Sequence, residues 1–413
     1  MAQVNITLEQ KEILQVFTEN RDEALKFLLE KILNEIMKVE SEEQLRATKH
    51  ERTEERTDYR NGTRSRDLTT RIGTITLQVP RHRNEPFHSM VFENYKRSEA
   101  SLIATMVQMV IAGISTRKVS KVVETLCGKA FSKSTVSELC KRLDSDIKQF
   151  QQQPLDSIQA PFLMVDATYF KVREDHRVRS KAFMVALAIK SDGHREVVGM
   201  GVYDAEDNYS WTHFLQDLRS RGLDSVKVIT SDAHSSIRKA IAEVYPDTAW
   251  QRCQVHLQRN ILDAAPGKYK EGLKRELREM FNAKTLKASR EKKEQIIKDY
   301  EPVAESAMRK LEEGFEDSMT VMNLPEYIRI TVRTTNLVER LNRELKRRSD
   351  VIQLFPNEAS VLRLMGAVTI EYSDQQSCKQ RIFTEHKYEE LREEITIEYR
   401  KIAKAQVALL KAA

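Results

Sequence analysis

Residues 161–172 read PFLMVDATYFKV, and KAFMVALAIK at 181–190 and REVVGMGVYD at 195–204 follow at close intervals. Each is a short apolar run with few polar breaks, the pattern of strands buried in a sheet. Asp166 stands inside the first run, with Leu163, Met164 and Val165 before it and Tyr169 and Phe170 after it. An ionised carboxylate is costly to bury without a partner, and a bound cation is one of the few partners that removes the penalty. Two expectations arise together: a central strand, and a charge on it that must face something.

Working outward, a helical pattern over about 210–221 presents Phe214, Leu215 and Leu218. VKVITSD at 226–232 reads as a fourth strand, AHSSIRKAIAEVY at 233–245 as a helix, and TAWQRCQVH at 248–256 as a fifth strand or its end. Three strands, a helix, a strand, a helix and a strand is the order of the RNase H-like fold, so the expected class is α/β with the first part of the core at 160–257. Asp232 closes the fourth strand just before a helix, where in isolation it reads as an N-cap. In the RNase H-like order, however, the first and fourth strands are neighbours. Asp166 and Asp232 then lie side by side, and adjacent carboxylates repel unless a metal or a proton sits between them.

Past Leu257 the strand pattern stops. Leu273, Leu277, Met280 and Phe281 form one helical stripe and Ile296, Tyr300, Val303, Ala307 and Leu311 another, which reads as an all-helical insertion over 258–331. The second part of the core is expected over 332–372. There a helix from about Thr335 to Arg348 carries Leu337, Val338, Leu341 and Leu345 on one side and Asn336, Arg340, Arg343 and Arg347 on the other. Glu339 falls at the edge of this basic face, either as a surface ion pair with Arg343 or as the carboxylate that a phosphodiester site with metal ions requires. Pro356 and Asn357 open another helix, with Val361, Leu364, Met365 and Val368 recurring, and 373–413 reads as a helical tail.

Upstream, Thr7 with Gln10 resembles a capping box, and Leu25, Leu28, Leu29, Ile32, Leu33 and Ile36 recur at helical spacing, giving a helical region over 1–50. A basic arm and a hairpin follow over 51–96, where TTRIGTITLQVP places Ile72, Ile75 and Leu77 around Gly73 and ends at Pro80. From Arg60 to Arg83 six arginines face a single acidic residue, Asp67, enough to neutralise several phosphates if the segment is more than a solvated loop. Over 97–150, Val119, Val122, Val123 and Leu126 follow Ser115 and Thr116, and Val136, Leu139, Cys140 and Leu143 follow Ser134 and Thr135, with Cys127 and Gly128 between. Two short helices joined by a turn result, either a DNA-reading helix-turn-helix or an ordinary packed pair. QQQPLDSIQAP at 151–161 looks like a linker to the core.

A chain of 413 residues accommodates two or three domains, a catalytic core with appended modules. Its 68 basic and 62 acidic residues nearly balance, so net charge alone does not indicate nucleic acid. Cys127, Cys140, Cys253 and Cys378 contain no Cys-x-x-Cys pair and read as reduced thiols of a cytosolic protein. The best apolar run, Ile103 to Ile114, is too short to span a bilayer, and no export signal is apparent.

Hard carboxylate ligands suit Mg²⁺ or Mn²⁺, and two such ions can activate an attacking hydroxyl and stabilise the leaving oxygen of an in-line displacement. Arg340, Arg343, Lys346, Arg347 and Arg348 are placed to hold a DNA backbone, as are Arg60, Arg64, Arg66 and Arg71. DATYFKVR at 166–173, SDAHSSIRKAI at 231–241, WQRCQVHLQRN at 250–260 and TTNLVERLNRELKRR at 334–348 together resemble the Mutator-related transposases of bacterial insertion sequences. YRNGTRSRDLTTRIGTITLQVPRHR at 59–83 is similar to that family's N-terminal half. Ala167 and Ala233 stand where the family often has glycine, a small-for-small change.

The resemblance implies Asp166, Asp232 and Glu339 as an acidic triad and action on terminal inverted repeats and target DNA; bringing two ends together calls for a homodimer on double-stranded DNA, and the expected place is the bacterial cytoplasm, on the nucleoid when bound. The resemblance also implies a Cys-x-x-His signature at Cys253 and His256 beside the active site. One such pair supplies two ligands and no second pair follows at zinc-site spacing, so support of the site is expected rather than zinc coordination. Trp211 and Trp250 either stack on a displaced base or are buried in the core. Two other functional classes compete: a DNA-binding regulator needing no metal, and a metal-dependent nuclease or resolvase that cuts without joining.

Overall fold

A computed structural model describes residues 21–48, 51, 56–70, 73–89, 91, 103–127 and 132–412. Its contacts divide the chain into two units, 1–142 and 143–413. Helix α1 (Arg21–Leu45) covers an antiparallel hairpin of β1 (Arg60–Thr70) and β2 (Gly73–His82). Strand β2 alternates as a half-buried strand should, turning Ile75, Leu77 and Val79 onto Leu33 and Met37 of the helix. Helices α2 (103–111), α3 (Thr116–Cys127) and α4 (Lys133–Cys140) enclose Met106, Val119, Val123 and Val136. The N-cap of α4 is Ser132, whose side chain accepts from the Thr135 amide, two residues earlier than the sequence pattern indicates.

The second unit is built on a five-stranded sheet. Helix α5 (Leu143–Gln152) precedes β3 (Phe162–Glu174), β4 (Arg177–Ile189) and β5 (Arg195–Tyr203); then come α6 (Asn208–Ser220), β6 (Val228–Ser231), α7 (Ser235–Val244) and β7 (Ala249–Arg252). The strand order is β5-β4-β3-β6-β7, with β3, β4 and β5 antiparallel and β6 and β7 parallel to β3. Three apolar strands in sequence can close by tight turns, whereas β6 and β7 need helical crossovers to run parallel. Trp211, Phe214, Leu215 and Leu218 of α6 and Ile237 and Ile241 of α7 seal one sheet face.

Helices α8 (Gln254–Ala264), α9 (Lys270–Phe281) and α10 (Leu286–Ser318) build a separate core around Leu257, Leu277, Met280, Ile296 and Leu311. Pro302 lacks the amide that the helix interior needs, and α10 breaks just after it, where Ala304 leaves helical angles. Val303, expected in the apolar stripe, is exposed as a result. Beyond α11 (Glu326–Val332), α12 (Asn336–Ser349) lies across β3, and α13 (Glu358–Ser377) packs on β5; α14 (Glu385–Glu389) and α15 (Arg392–Ala412) complete the chain. No described helix is long and apolar enough to cross a membrane.

Several expectations need correction. The basic arm is not a loop before a small hairpin, because β1 already runs through it and pairs as far as Arg60 with His82. Thr7, Gln10, Arg71, Ile72 and Gly128 lie outside the described residues. Leu143 opens α5 rather than closing α4. The supposed linker is fastened down: Leu155 is fully buried and donates its amide to the Arg221 carbonyl at 2.6 Å, and the Ala160 amide donates to Ser225 Oγ. The terminal helix is no free tail either. Gln406 exchanges two hydrogen bonds of 2.8 Å with the Trp250 backbone, covering the β7 edge, while Gln151 and Arg221 donate to the β5 carbonyls of Met200 and Val198. Edge groups that invite strand pairing with another chain are thereby occupied.

The β4–β5 turn is another fastening. Gly193 sits at φ +82, accepts from the Ile382 amide at 3.0 Å, and lies so close to the Phe383 backbone that a Cβ would overlap it. Gly193→Ala is expected to lower stability by about 1–3 kcal/mol. Chemical denaturation of the full chain checks this; an unchanged midpoint would show that the docking is not tight.

Candidate active site

Parallel pairing of β3 with β6 brings the first two acids together. Met164 stands opposite Thr230 in the register, so Asp166 and Asp232, each two residues further on, reach the same level of adjacent strands. Asp166 Oδ1 accepts from the Ala167 amide at 3.0 Å, and Oδ2 accepts from Asn342 Nδ2 at 2.8 Å. Burial, and next the charge of Asp232, push the Asp166 carboxyl up to about 7, while His256 and the Ala167 amide oppose the rise. Asp232 is not the cap of α7. His234 occupies that position without a side-chain cap bond, and Asp232 Oδ1 accepts only a 3.2 Å contact from the His234 amide.

The third acid arrives on α12, whose start is pinned to the sheet. Thr230 Oγ1 donates to the Val332 carbonyl, the Gln254 amide donates to the Arg333 carbonyl, and Thr335 donates both its amide and its hydroxyl to Cys253 Sγ at 3.4 Å. Glu339, one turn in, faces α8. Its Oε1 lies 3.4 Å from His256 Nε2, yet it is buried without a hydrogen-bond partner. Cys253 Sγ, a His256 ring nitrogen and a Glu339 oxygen all lie within 4.8 Å of one another. Contact with the Cys253 thiol, working against burial and joined by the charges of Asp166 and Glu339, lifts His256 to about 9. Glu339 makes no ion pair with Arg343 among the described residues, so the surface-pair alternative is not realised.

Basic residues divide by what already holds them. Arg347 and Arg348 both bind Glu344, which their guanidinium groups hold at about 2. Lys346 donates to the Tyr169 carbonyl and sits 5.0 Å over the Phe170 ring. Arg340 and Arg343 are exposed, have no such partner among the described residues, and share with Arg195 the surroundings of Tyr372. In the first unit, Arg60 donates to the carbonyls of Ala47 and Thr48, tying β1 to the end of α1. Arg64 and Arg66 stand opposite Val79 and Leu77 and remain exposed. Both tryptophans are core residues: Trp211 packs on Phe214, and Trp250 donates its indole N–H to Ser231 Oγ at 2.9 Å.

Two participants escape a reading of the sequence. Asn342 was signalled only by its spacing, three residues after Glu339 and therefore on the same side of α12. Glu206 carries no local signal at all; the loop after β5 brings it near Asp232, which together with burial raises its carboxyl, and its amide donates to the Tyr169 hydroxyl.

The family model described as Transposase, Mutator family matches residues 1–378. A Staphylococcus aureus protein, the transposase for insertion sequence element IS256 in transposon Tn4001, is 40% identical over 91% of this chain and 97% of its own length. The transposase for element ISRM5 of Rhizobium meliloti is 38% identical over 84% of this chain and 87% of that protein. That for IS1081 of Mycobacterium tuberculosis is 34% identical over 85% of each. The chain therefore belongs to the Mutator family of transposases. Among solved structures, the Drosophila P element transposase strand transfer complex matches 74% of this chain and 91% of its own at 12% identity, with a TM-score of 0.28, too loose to bear on mechanism.

An acid raised by burial beside a second acid destabilises the metal-free fold. With Asp166 at about 7 in the folded chain and near 3.8 when unfolded, its ionisation opposes folding increasingly above pH 4, and fully above pH 7. Asp166→Asn keeps the shape and removes the charge. It is expected to stabilise the metal-free protein by about 1–2 kcal/mol at pH 8, with the gain fading toward pH 4. Melting curves in chelator across this range provide the check, and a gain that grows on acidification would contradict the assignment.

Proposed function

We propose that this transposase has an RNase H-like core interrupted by a helical insertion and works by DDE chemistry, with Asp166, Asp232 and Glu339 holding divalent metal, Mg²⁺ or Mn²⁺, as two ions per site. The reading rests chiefly on the register that aligns Asp166 with Asp232 on neighbouring parallel strands. The donor set fits the ions: carboxylate oxygens are hard ligands, Asp166 meets the like charge of Asp232, and Glu339 Oε1 is buried without a hydrogen-bond partner. When bound, such ions neutralise the scissile phosphate and ease deprotonation of the attacking hydroxyl, a water in cleavage or a DNA 3′-hydroxyl in strand transfer.

The protein's own groups do the positioning. Asn342 donates to one oxygen of the Asp166 carboxylate and so ties it to α12, fixing its orientation. His256, backed by Cys253, lies beside Glu339, and its charge opposes the rise that burial and Asp232 impose on the Asp166 carboxyl. Arg340 and Arg343 stand next to Glu339 on the helix as free phosphate ligands. Residues 1–142, with Arg64 and Arg66 exposed on the hairpin, recognise the terminal inverted repeats, and a homodimer brings two ends together. On this account the cytoplasmic protein resides on the nucleoid while it holds DNA.

A regulator without chemistry is disfavoured because it has no use for two acids brought side by side by neighbouring strands. A nuclease or resolvase is separated by its product: it releases cut DNA and does not join a 3′ end to a target.

Asp166→Ala, Asp232→Ala and Glu339→Ala are each expected to lower Mg²⁺-dependent cleavage and joining at least a thousandfold, almost as far as the triple variant, with end binding retained. Near-normal strand transfer by any one variant removes that residue from the site. For the hairpin, replacing Arg64 and Arg66 with Ala in the full chain should weaken binding to repeat and random DNA alike. It should also flatten the dependence of log Kd on log salt by about one to two units. Loss confined to repeat DNA would instead make these arginines readers of bases.

A further inference from the structure

The sequence offers two soft ligands at Cys253 and His256, too few for a zinc site; the fold adds a third from α12. We propose that Cys253, His256 and Glu339 form a site for a soft divalent cation, Zn²⁺ above all, and that its occupation withdraws Glu339 from the catalytic acids and so switches the enzyme off. The inference rests on the assignment of Glu339 to catalysis for its inhibitory half, while the coordination half stands on geometry alone.

The 3.4 Å between His256 Nε2 and Glu339 Oε1 is the first observation. Glu339 Oε1 has no hydrogen-bond partner, although it is buried. Ligands at zinc distances of about 2.0–2.1 Å, arranged tetrahedrally, lie roughly 3.3–3.4 Å apart, so the nitrogen and the oxygen already stand as two ligands of one ion would. The sulfur, within 4.8 Å of a ring nitrogen of His256 and an oxygen of Glu339, has only to close toward the roughly 3.6 Å that a zinc–sulfur bond of about 2.3 Å sets.

The surroundings of the sulfur are the second observation. Cys253 is buried at the N-terminus of α8, and Sγ accepts from both the amide and the hydroxyl of Thr335. Two donors converging on a sulfur are what a metal-bound thiolate needs from the residues behind it. A sulfur, an imidazole and a single carboxylate select Zn²⁺ or Cd²⁺ over Mg²⁺, which favours oxygen ligands in octahedral array. Three protein ligands leave a fourth position open for water.

Glu339 is the donor common to both sites, so a hard ion held with Asp166 and Asp232 and a soft ion held with Cys253 and His256 compete for it. Inhibition should therefore rise with Zn²⁺ and be relieved by excess Mg²⁺. Such competition would make cutting sensitive to the free concentration of soft metal.

Titration of the metal-free full-length protein with Co²⁺, as a spectroscopic stand-in for Zn²⁺, tests the coordination. One equivalent should produce a thiolate-to-cobalt charge-transfer band and intense tetrahedral d–d bands, both removed by one equivalent of Zn²⁺. Cys253→Ser should abolish the charge-transfer band; His256→Ala, which keeps the thiol, should weaken Co²⁺ binding at least tenfold. Far-UV circular dichroism establishes that each variant is folded. Absence of the band in wild type, or its persistence in folded Cys253→Ser through Cys127, Cys140 or Cys378, overturns the proposal. Cleavage by wild type should fall at least tenfold with saturating Zn²⁺ at fixed Mg²⁺. In Cys253→Ser, measured against its own uninhibited rate, the Zn²⁺ needed should rise at least tenfold; an unchanged requirement overturns the inhibitory half. If Glu339→Gln instead cleaves normally while wild type shows the Co²⁺ spectrum, the catalytic assignment fails and the soft-metal site survives.

Discussion

Parallel pairing of β3 with β6 is the constraint on which the rest depends. Two strands hydrogen-bonded in this register must carry Asp166 and Asp232 at one level, each at the end of a buried apolar run. Burial of Asp166, and next the charge of Asp232 beside it, push its carboxyl up to about 7. Apolar residues on both faces of β3 and β4 stabilise the arrangement against this local cost. Stability supplied by the scaffold and withheld at the site is a common signature of function.

The surrounding contacts make sense as ways of holding that strained centre. Thr230, Gln254 and Cys253 fasten residues 332–335, and thereby the start of α12, to the strand ends. Asn342 and Glu339, three residues apart, then fall over Asp166 and His256 respectively. Helices outside the sheet participate as well: α5 and α13 cover the outer strand β5, and α15 closes the opposite edge through Gln406. At both edges of the sheet, side chains thus occupy backbone groups that could otherwise pair with another strand.

Much of this was legible in the sequence, and the reasons differ by element. Strands β3 to β7 and their helices were readable because buried strands and amphipathic helices leave strong periodic patterns, and Asp166 stood out as a charge inside one of them. Long-range partners were not readable. Nothing near Gln406, Leu155 or Arg60 announces a bond to Trp250, Arg221 or Ala47, because such contacts depend on tertiary placement rather than on local pattern. The hairpin was read too short for a related cause: β1 is mostly exposed and basic, so it lacks the apolar alternation by which β2 was recognised. Glu206 and Asn342 lie near the acids through a loop and a helical turn, and only the folded chain brings them there.

The most direct test of the central claim is where a hard metal ion binds. Crystals of the full-length protein with repeat-end DNA, grown with Mn²⁺ and measured at the manganese absorption edge, should give anomalous peaks between Asp166 and Asp232 and beside Glu339. Those peaks should vanish with Asp166→Asn. Manganese bound elsewhere, with DNA seated on the sheet's strand ends and no peak near Asp166, would contradict the account.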